Sequence, residues 1–282
     1  VLTERSGRVA AAAKLHRHVG RRHLVEAAAG RGLVRDVFVT EAAQQRYAPL
    51  LAALDCPVHL VTERAAKALS DTVTPAGLVA VCDLPATGLR DVLAGSPRLI
   101  AVAVQISVPG NGGTLIRLAD AMGAAGVLLA GHSVDPYNGK CSIFSVPVAA
   151  APDLREAVAA VREAGLQLLA TTVDGEVRLD RAGELLAKPT AWLFGPESHG
   201  LPSAVAAAAD HRVCIPMAGG AESLNVASAA AICLYQSARA LELFTRSPAS
   251  DNVVCTSDPA RSISARAGCR AGSNGNLGGG GK

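Results

Sequence analysis

Short continuous apolar runs alternate with Ala-rich stretches of helical period through most of the chain. Runs at 37–40, 58–61 and 77–81 read as strands, with helices predicted over 7–29, 41–54 and 62–70 between and before them. A second series follows, with strands at 99–104, 126–129, 167–170, 191–194 and 212–215. Its helices are predicted near 113–123, 153–164, 202–209 and 225–245. Strands without polar alternation, each followed by a helix, point to a buried and mostly parallel sheet. Pro85 and Gly88 mark 83–88 as a linker between the two series. The fold class is therefore α/β, with a small unit at 1–85 and a larger one at 86–246. From residue 247 the periodicity dissolves into Ser, Gly, Arg and Asn, and 247–282 reads as a disordered tail.

In parallel sheets ligands sit beyond the carboxyl ends of the strands. Polar turns follow Val104, Phe194 and Ile215, so three ligand loops are expected to converge there. The first is Pro109-Gly110-Asn111-Gly112-Gly113-Thr114-Leu115-Ile116-Arg117. Its glycines allow close backbone approach, Asn111 suits a helix cap, and Arg117 lies one turn beyond Gly113, where it can return toward the loop mouth. The second is Phe194-Gly195-Pro196-Glu197-Ser198-His199-Gly200-Leu201. Glu197 and His199 suggest acid/base chemistry; the plainer alternative makes Glu197 a capping acceptor. The third is Ile215-Pro216-Met217-Ala218-Gly219-Gly220-Ala221-Glu222-Ser223-Leu224-Asn225-Val226. Ser223 and Asn225 are equally readable as helix caps or as groups facing a ligand.

Composition narrows this picture only a little. The net charge of +3 does not by itself imply nucleic acid, but Arg5, Arg8, Lys14, Arg17, Arg21, Arg22, Arg31 and Arg35 crowd the first 36 residues. Such a cluster suits phosphates or a plain solvated helix face. The seven cysteines are dispersed without ligand spacing, so no metal site is expected and a reducing compartment is. With no apolar run near membrane-spanning length and no signal-peptide pattern, a soluble cytoplasmic protein without a membrane partner is expected. His132-Ser133-Val134-Asp135 holds triad residue types too close in sequence to form a triad, and there is no nucleophile elbow.

Taken in order, P-x-N-x-G-x-x-x-R (109–117), G-x-E-x-x-G-L (195–201) and I-P-M-x5-S-L-N-V (215–226) resemble the three signature motifs of the SpoU (TrmH-type) family of RNA ribose 2′-O-methyltransferases. The resemblance covers roughly 98–245. Gly20-Arg21-Arg22-His23-Leu24-Val25-Glu26 and Thr74-Pro75-Ala76-Gly77-Leu78 are similar to the RNA-binding unit that precedes the catalytic domain in such proteins. Asp135-Pro136-Tyr137-Asn138 looks closest to the thiostrepton-resistance branch, which acts on 23S rRNA. The resemblance implies a deep trefoil knot of the SPOUT type, an exception to the unthreaded rule. It implies S-adenosylmethionine held largely by backbone groups of Leu193, Gly195, Ile215, Met217 and Leu224. It implies a catalytic set of Arg117, Asn111, Glu197, Ser223 and Asn225, RNA contacts from Arg17, Arg21 and Arg22, and a homodimer formed through the knot region. A guanidinium stays protonated below about pH 12, so Arg117 is better suited to pairing with a phosphate or a developing alkoxide than to removing a proton.

One departure from the family pattern stands out. After Asp-Pro-Tyr-Asn-x-Lys, relatives usually carry an Arg-Ala-Ser-x-Gly turn; here Cys141 runs directly into Ser142-Ile143-Phe144. That turn and its Arg are absent. The alternatives to an active ribosomal RNA enzyme are thus a weakened or inactive RNA-binding paralogue, or a tRNA ribose methyltransferase.

Overall fold

The computed structural model describes residues 16–70, 76–137, 141 and 143–246. The expected tail at 247–282, together with Thr74, Pro75 and Asn138, lies outside the described residues.

The amino-terminal part builds a four-stranded sheet from β1 (His16–Val19), β2 (Val34–Val39), β3 (Val58–Leu60) and β4 (Leu78–Asp83), in the order β1-β4-β2-β3. Here the sequence reading of a helix over 7–29 needs correcting. Residues 16–19 pair antiparallel with β4, His18 opposite Val81 and Val19 opposite Ala80. Gly20 and the extended Arg21 then separate this strand from helix Arg22–Gly30. Alternating His, Arg, His and Val satisfy a half-exposed strand as well as a helix face, so the polar pattern alone misled. The helix expected over 41–54 is also broken, into Glu41–Arg46 and Ala48–Ala52, at Tyr47. Pro49 sits in the first turn of the second piece, where a missing N–H costs nothing.

The larger part is a seven-stranded sheet of β5 (Leu99–Val104), β6 (Gly126–Ala130), β7 (Val148–Ala151), β8 (Gln167–Thr171), β9 (Val177–Arg178), β10 (Thr190–Phe194) and β11 (His211–Cys214). The order is β7-β6-β5-β10-β8-β11-β9, and every neighbouring pair is parallel. β5, β6 and β10 are buried along their whole length, as their unbroken apolar runs require. β7 was not foreseen, because Val-Ala-Ala-Ala carries little strand preference; its pairing with β6 makes it a strand.

Helix Pro109–Ala121 begins four residues before its expected start at 113, with Pro109 in the first turn supplying the preset backbone angle. It packs against the last long helix, Val226–Ala240, which also lies on β5 and β10. The two parts of the molecule share one core: Val25, Val37 and Leu78 of the first belong to the same apolar cluster as Leu115, Trp192 and Leu234 of the second. Across this shared region Arg31 donates to the carbonyl of Ile143 at 3.2 Å. Cys141, Ile143 and Phe144 are buried.

Beneath the sheet, the fully buried Trp192 donates its indole N–H to Ser237 Oγ at 2.8 Å. Ser237→Ala leaves that N–H without its partner and should lower stability by about 1–3 kcal/mol, read as a shift of the denaturant midpoint.

Candidate functional site

Because the seven strands run parallel, the carboxyl ends of β5, β8, β10 and β11 share one edge of the sheet. The segments leaving β8, β10 and β11 enclose a cavity of about 650 Å³. Its wall is formed by 171–174 after β8, by 195–201 after β10, and by Ile215, Met217, Ser223 and Leu224 after β11. A volume within about 300–1,000 Å³, mostly apolar with a few convergent polar groups, suits an organic cofactor.

Gly195 makes the tight departure from β10 possible. A Cβ there would lie 2.5 Å from the backbone nitrogen of Leu201 and 2.6 Å from the carbonyl carbon of Gly200. Gly195→Ala therefore has to push the loop open. The expected result is at least about a tenfold loss of cofactor affinity, one to three kcal/mol being usual for overpacking, checked by calorimetric titration.

Of the residues expected to hold a cofactor, Gly195, Ile215, Met217 and Leu224 line the cavity. Leu193 does not bring its side chain there. It is packed in the core between Val102 and Ala170 of the flanking strands, and its carbonyl accepts from Thr171 Oγ1 at 2.9 Å.

Of the expected catalytic residues, Asn111, Glu197 and Asn225 come together across three loops. Glu197 Oε1 accepts from Asn111 Nδ2 at 2.9 Å and from Asn225 Nδ2 at 2.6 Å, and Asn225 Nδ2 also lies 3.4 Å from Asn111 Oδ1. Asn111 is thus not a cap: Val108 holds the N-cap position and the Asn111 amide faces the second loop. Both readings of Asn225 hold at once. Its Oδ1 caps helix Val226–Ala240 by accepting from the N–H groups of Ala227 and Ser228, which leaves the amide nitrogen for Glu197. Ser223 lines the cavity. Arg117 folds back along its helix, as its spacing suggested. Nη2 donates to Thr114 Oγ1 at 2.9 Å, and Thr114 in turn donates to the Gly110 carbonyl at 2.8 Å.

Arg21 is exposed at the start of helix Arg22–Gly30, while Arg22 spans to Glu26 at 2.8 Å. Arg17 is placed by its backbone, opposite Cys82 in the sheet. Partial burial, with Arg21 and Arg117 nearby, holds the His23 imidazole below its usual pKa. The basic start of the first unit and the Arg of the first loop therefore share one electrostatic neighbourhood. The Ser133 of the discounted triad is structural: it accepts from the Ile106 N–H and reaches the carbonyls of Ala103 and Ala130.

The loop after β8 was missed by the sequence reading. Thr172 and Asp174 line the cavity, and Arg212 ties this loop down through Asp174 at 3.4 Å and Glu176 at 3.0 Å. The available signal was a pair of threonines followed by Asp-Gly at the end of a buried strand.

Residues 98–235 match the SpoU rRNA Methylase family. The chain is 30% identical over 220 residues to the 23S rRNA (guanosine(2553)-2′-O)-methyltransferase RlmP of Bacillus subtilis, spanning 76% of this chain and 84% of that protein. The chain belongs to the SpoU rRNA methylase family. A second relative is the 23S rRNA (uridine(2479)-2′-O)-methyltransferase of Streptomyces viridochromogenes, 36% identical over 174 residues, which are 58% of this chain but only 61% of that enzyme. Among solved structures, the SpoU methyltransferase AviRb from S. viridochromogenes in complex with AdoMet superposes with a TM-score of 0.69 at 30% identity, covering 81% of this chain and 91% of that one.

The cavity can be tested against the cofactor of that SpoU structure. Thr172 Oγ1 is buried and is the one such side-chain oxygen or nitrogen among the described residues without a hydrogen-bond partner. A buried hydroxyl without a partner is costly, and this one borders the cavity, where a polar ligand would satisfy it. Apolar Ile215, Leu224 and Val226 beside the polar Thr172, Asp174 and Ser223 match a molecule with both a flat aromatic base and a charged, hydroxylated remainder.

Proposed function

We propose that this protein transfers a methyl group from S-adenosylmethionine to a ribose 2′-hydroxyl of structured RNA, with 23S rRNA as the substrate class. The observation that carries the reading is the junction of the three motifs. Asn111, Glu197 and Asn225 meet at one hydrogen-bonded centre beside a cofactor-sized cavity. The relatives named above support ribosomal RNA rather than tRNA, and the work would take place in the cytoplasm with ribosome assembly.

When bound, the cofactor supplies an electrophilic methyl carried on a sulfonium. Gly195, Ile215, Met217 and Leu224 would hold its adenosine part, with backbone groups reading the base, and Thr172 would meet a polar group of it. Glu197 fixes the amides of Asn111 and Asn225, and with them the mutual position of all three loops. Arg117 is held against its own helix by Thr114, one turn back, which leaves its remaining N–H groups to pair with a substrate phosphate or the developing alkoxide.

Several finer features belong to the same proposal. The amino-terminal sheet with Arg17, Arg21 and Arg22 would be the RNA-binding unit, ending near residue 85. A trefoil knot is supported by the path of the chain: β10 lies between β5 and β8, the chain then runs out to β11, and helix Val226–Ala240 returns to pack on β5 and β10. A homodimer is supported by the exposed apolar face of that helix, where Ile232 and Tyr235 are open and the Tyr235 ring lies 5.8 Å from Phe244. Among the described residues no helix is long and apolar enough to cross a membrane.

Mass-spectrometric mapping of ribose methylation in ribosomal RNA, with and without this gene, tests the proposal. One 2′-O-methyl nucleotide should disappear when the gene is removed, and an unchanged map would refute it.

A further inference from the structure

An adenosyl cofactor is a flat base joined to its sulfur through a ribose, and the order of the strands offers each part its own wall. β11 is followed by Ile215, Met217 and Leu224, apolar residues assigned above to the adenosine part. β10 is followed by Glu197, which gathers the amides of Asn111 and Asn225 at the reaction centre. β8 lies between these two strands in the sheet, so the segment leaving it stands between the base and the reacting group. Asp174 of that segment lines the cavity and brings it a carboxylate. Thr172, whose buried hydroxyl has no partner among the described residues, belongs to the same wall.

The wall is pinned to β11 at several points. The Thr172 N–H donates to the Val213 carbonyl at 3.1 Å. Gly175 runs so close to β11 that a Cβ there would lie 2.7 Å from the Arg212 carbonyl oxygen and from the Cys214 nitrogen. Glu176 accepts from the Arg212 backbone N–H at 2.9 Å and from its Nε at 3.0 Å. Arg212 Nη1 in turn lies 3.4 Å from Asp174 Oδ2. A carboxylate has about four acceptor sites, so this one long contact orients Asp174 without filling it. A carboxylate beyond the end of a parallel strand is also the group that meets a ribose hydroxyl in dinucleotide-binding sheets. Its two oxygens can accept from two neighbouring hydroxyls at once, and hydrogen bonds to an ionised acceptor are the stronger kind.

We propose that the Asp174 side chain binds the ribose cis-diol of the cofactor. The inference rests on the methyltransferase reading above. It makes Asp174 a determinant of cofactor affinity that takes no part in the methyl transfer itself. It also gives the close approach of Gly175 and the Glu176–Arg212 contacts a purpose, since a carboxylate held in place before binding loses less freedom when the ligand arrives.

The test removes each side of the contact in turn. S-adenosylhomocysteine and its 2′,3′-dideoxy form are titrated calorimetrically into the full-length protein. The unaltered protein should bind the dideoxy form about tenfold more weakly or worse, the usual cost of losing hydrogen bonds to a charged group. Asp174→Asn keeps the size of the side chain and removes its charge. It should bind S-adenosylhomocysteine about tenfold more weakly than the unaltered protein does, yet bind the dideoxy form equally well. In methylation assays its KM for S-adenosylmethionine should rise with kcat little changed, the pattern of an interaction made equally in ground and transition states. Equal losses with the two probes would overturn the assignment, by showing that Asp174 acts on another part of the cofactor or on the fold. Undiminished binding of S-adenosylhomocysteine by Asp174→Asn would overturn it too. Either result leaves the methyltransferase reading intact, because the unaltered protein still binds its cofactor. If the unaltered protein binds neither S-adenosylmethionine nor S-adenosylhomocysteine, it is the methyltransferase reading that fails, and the inference with it.

Discussion

Arg117→Lys should lower the methyl-transfer rate by about a hundredfold or more while cofactor affinity stays as it was. The side chain already spends one N–H group on Thr114 Oγ1, which holds the guanidinium back along its helix. The remaining donors keep a fixed fork, and a fork matches two oxygens of a phosphate, or an alkoxide and a neighbouring oxygen, at the same time. Lysine keeps the charge and loses the plane. The comparison therefore separates geometry from electrostatics. Normal turnover in Arg117→Lys would show that charge alone suffices, and a loss confined to KM would place the residue in ground-state binding of RNA. Calorimetry with S-adenosylmethionine supplies the control, since Arg117 is not among the residues lining the cavity.

Glu197→Ala should be similarly severe, about a hundredfold in rate, for a different reason. The carboxylate binds no part of the reaction in this account; it is the shared acceptor that joins Asn111 from the first loop to Asn225 from the third. Without it the two amides lose their common partner and the loops their register. The fold should survive, because Asn225 still caps helix Val226–Ala240 through Ala227 and Ser228. A double-mutant cycle checks the mechanism. Asn111→Ala should cost much less in the Glu197→Ala background than in the unaltered protein. Fully additive losses would mean that the two residues act separately.

Much of this site was legible in the sequence because its chemistry is concentrated at the ends of buried strands. The runs at 191–194 and 212–215 carry no polar residue that could be mistaken for a site except at their margins, so Glu197, Ser223 and Asn225 stood out where the apolar pattern stopped. Helical spacing suggested that Arg117 folds back along its helix, while its role came from the resemblance of 109–117 to the first SpoU motif. What escaped notice did so for physical reasons. Thr172 is β-branched and fits a strand end, so its residue type alone did not separate it from an ordinary strand residue. The strand His16–Val19 was read as helix because its residues prefer neither state strongly, and its partner β4 lies more than sixty residues away. The Asn111 amide was read as a cap because its real partner, Glu197, is brought near only by the parallel pairing of β5 with β10.

The central claim is methyl transfer to a ribose oxygen. The most direct measurement incubates the purified full-length chain with methyl-labelled S-adenosylmethionine and a 23S rRNA transcript, then digests the RNA and identifies the labelled nucleotide by mass spectrometry. The account predicts label in a single 2′-O-methyl nucleotide, found on the ribose and absent from the base. Label on a base, or tight cofactor binding with no label in any RNA offered, would contradict it.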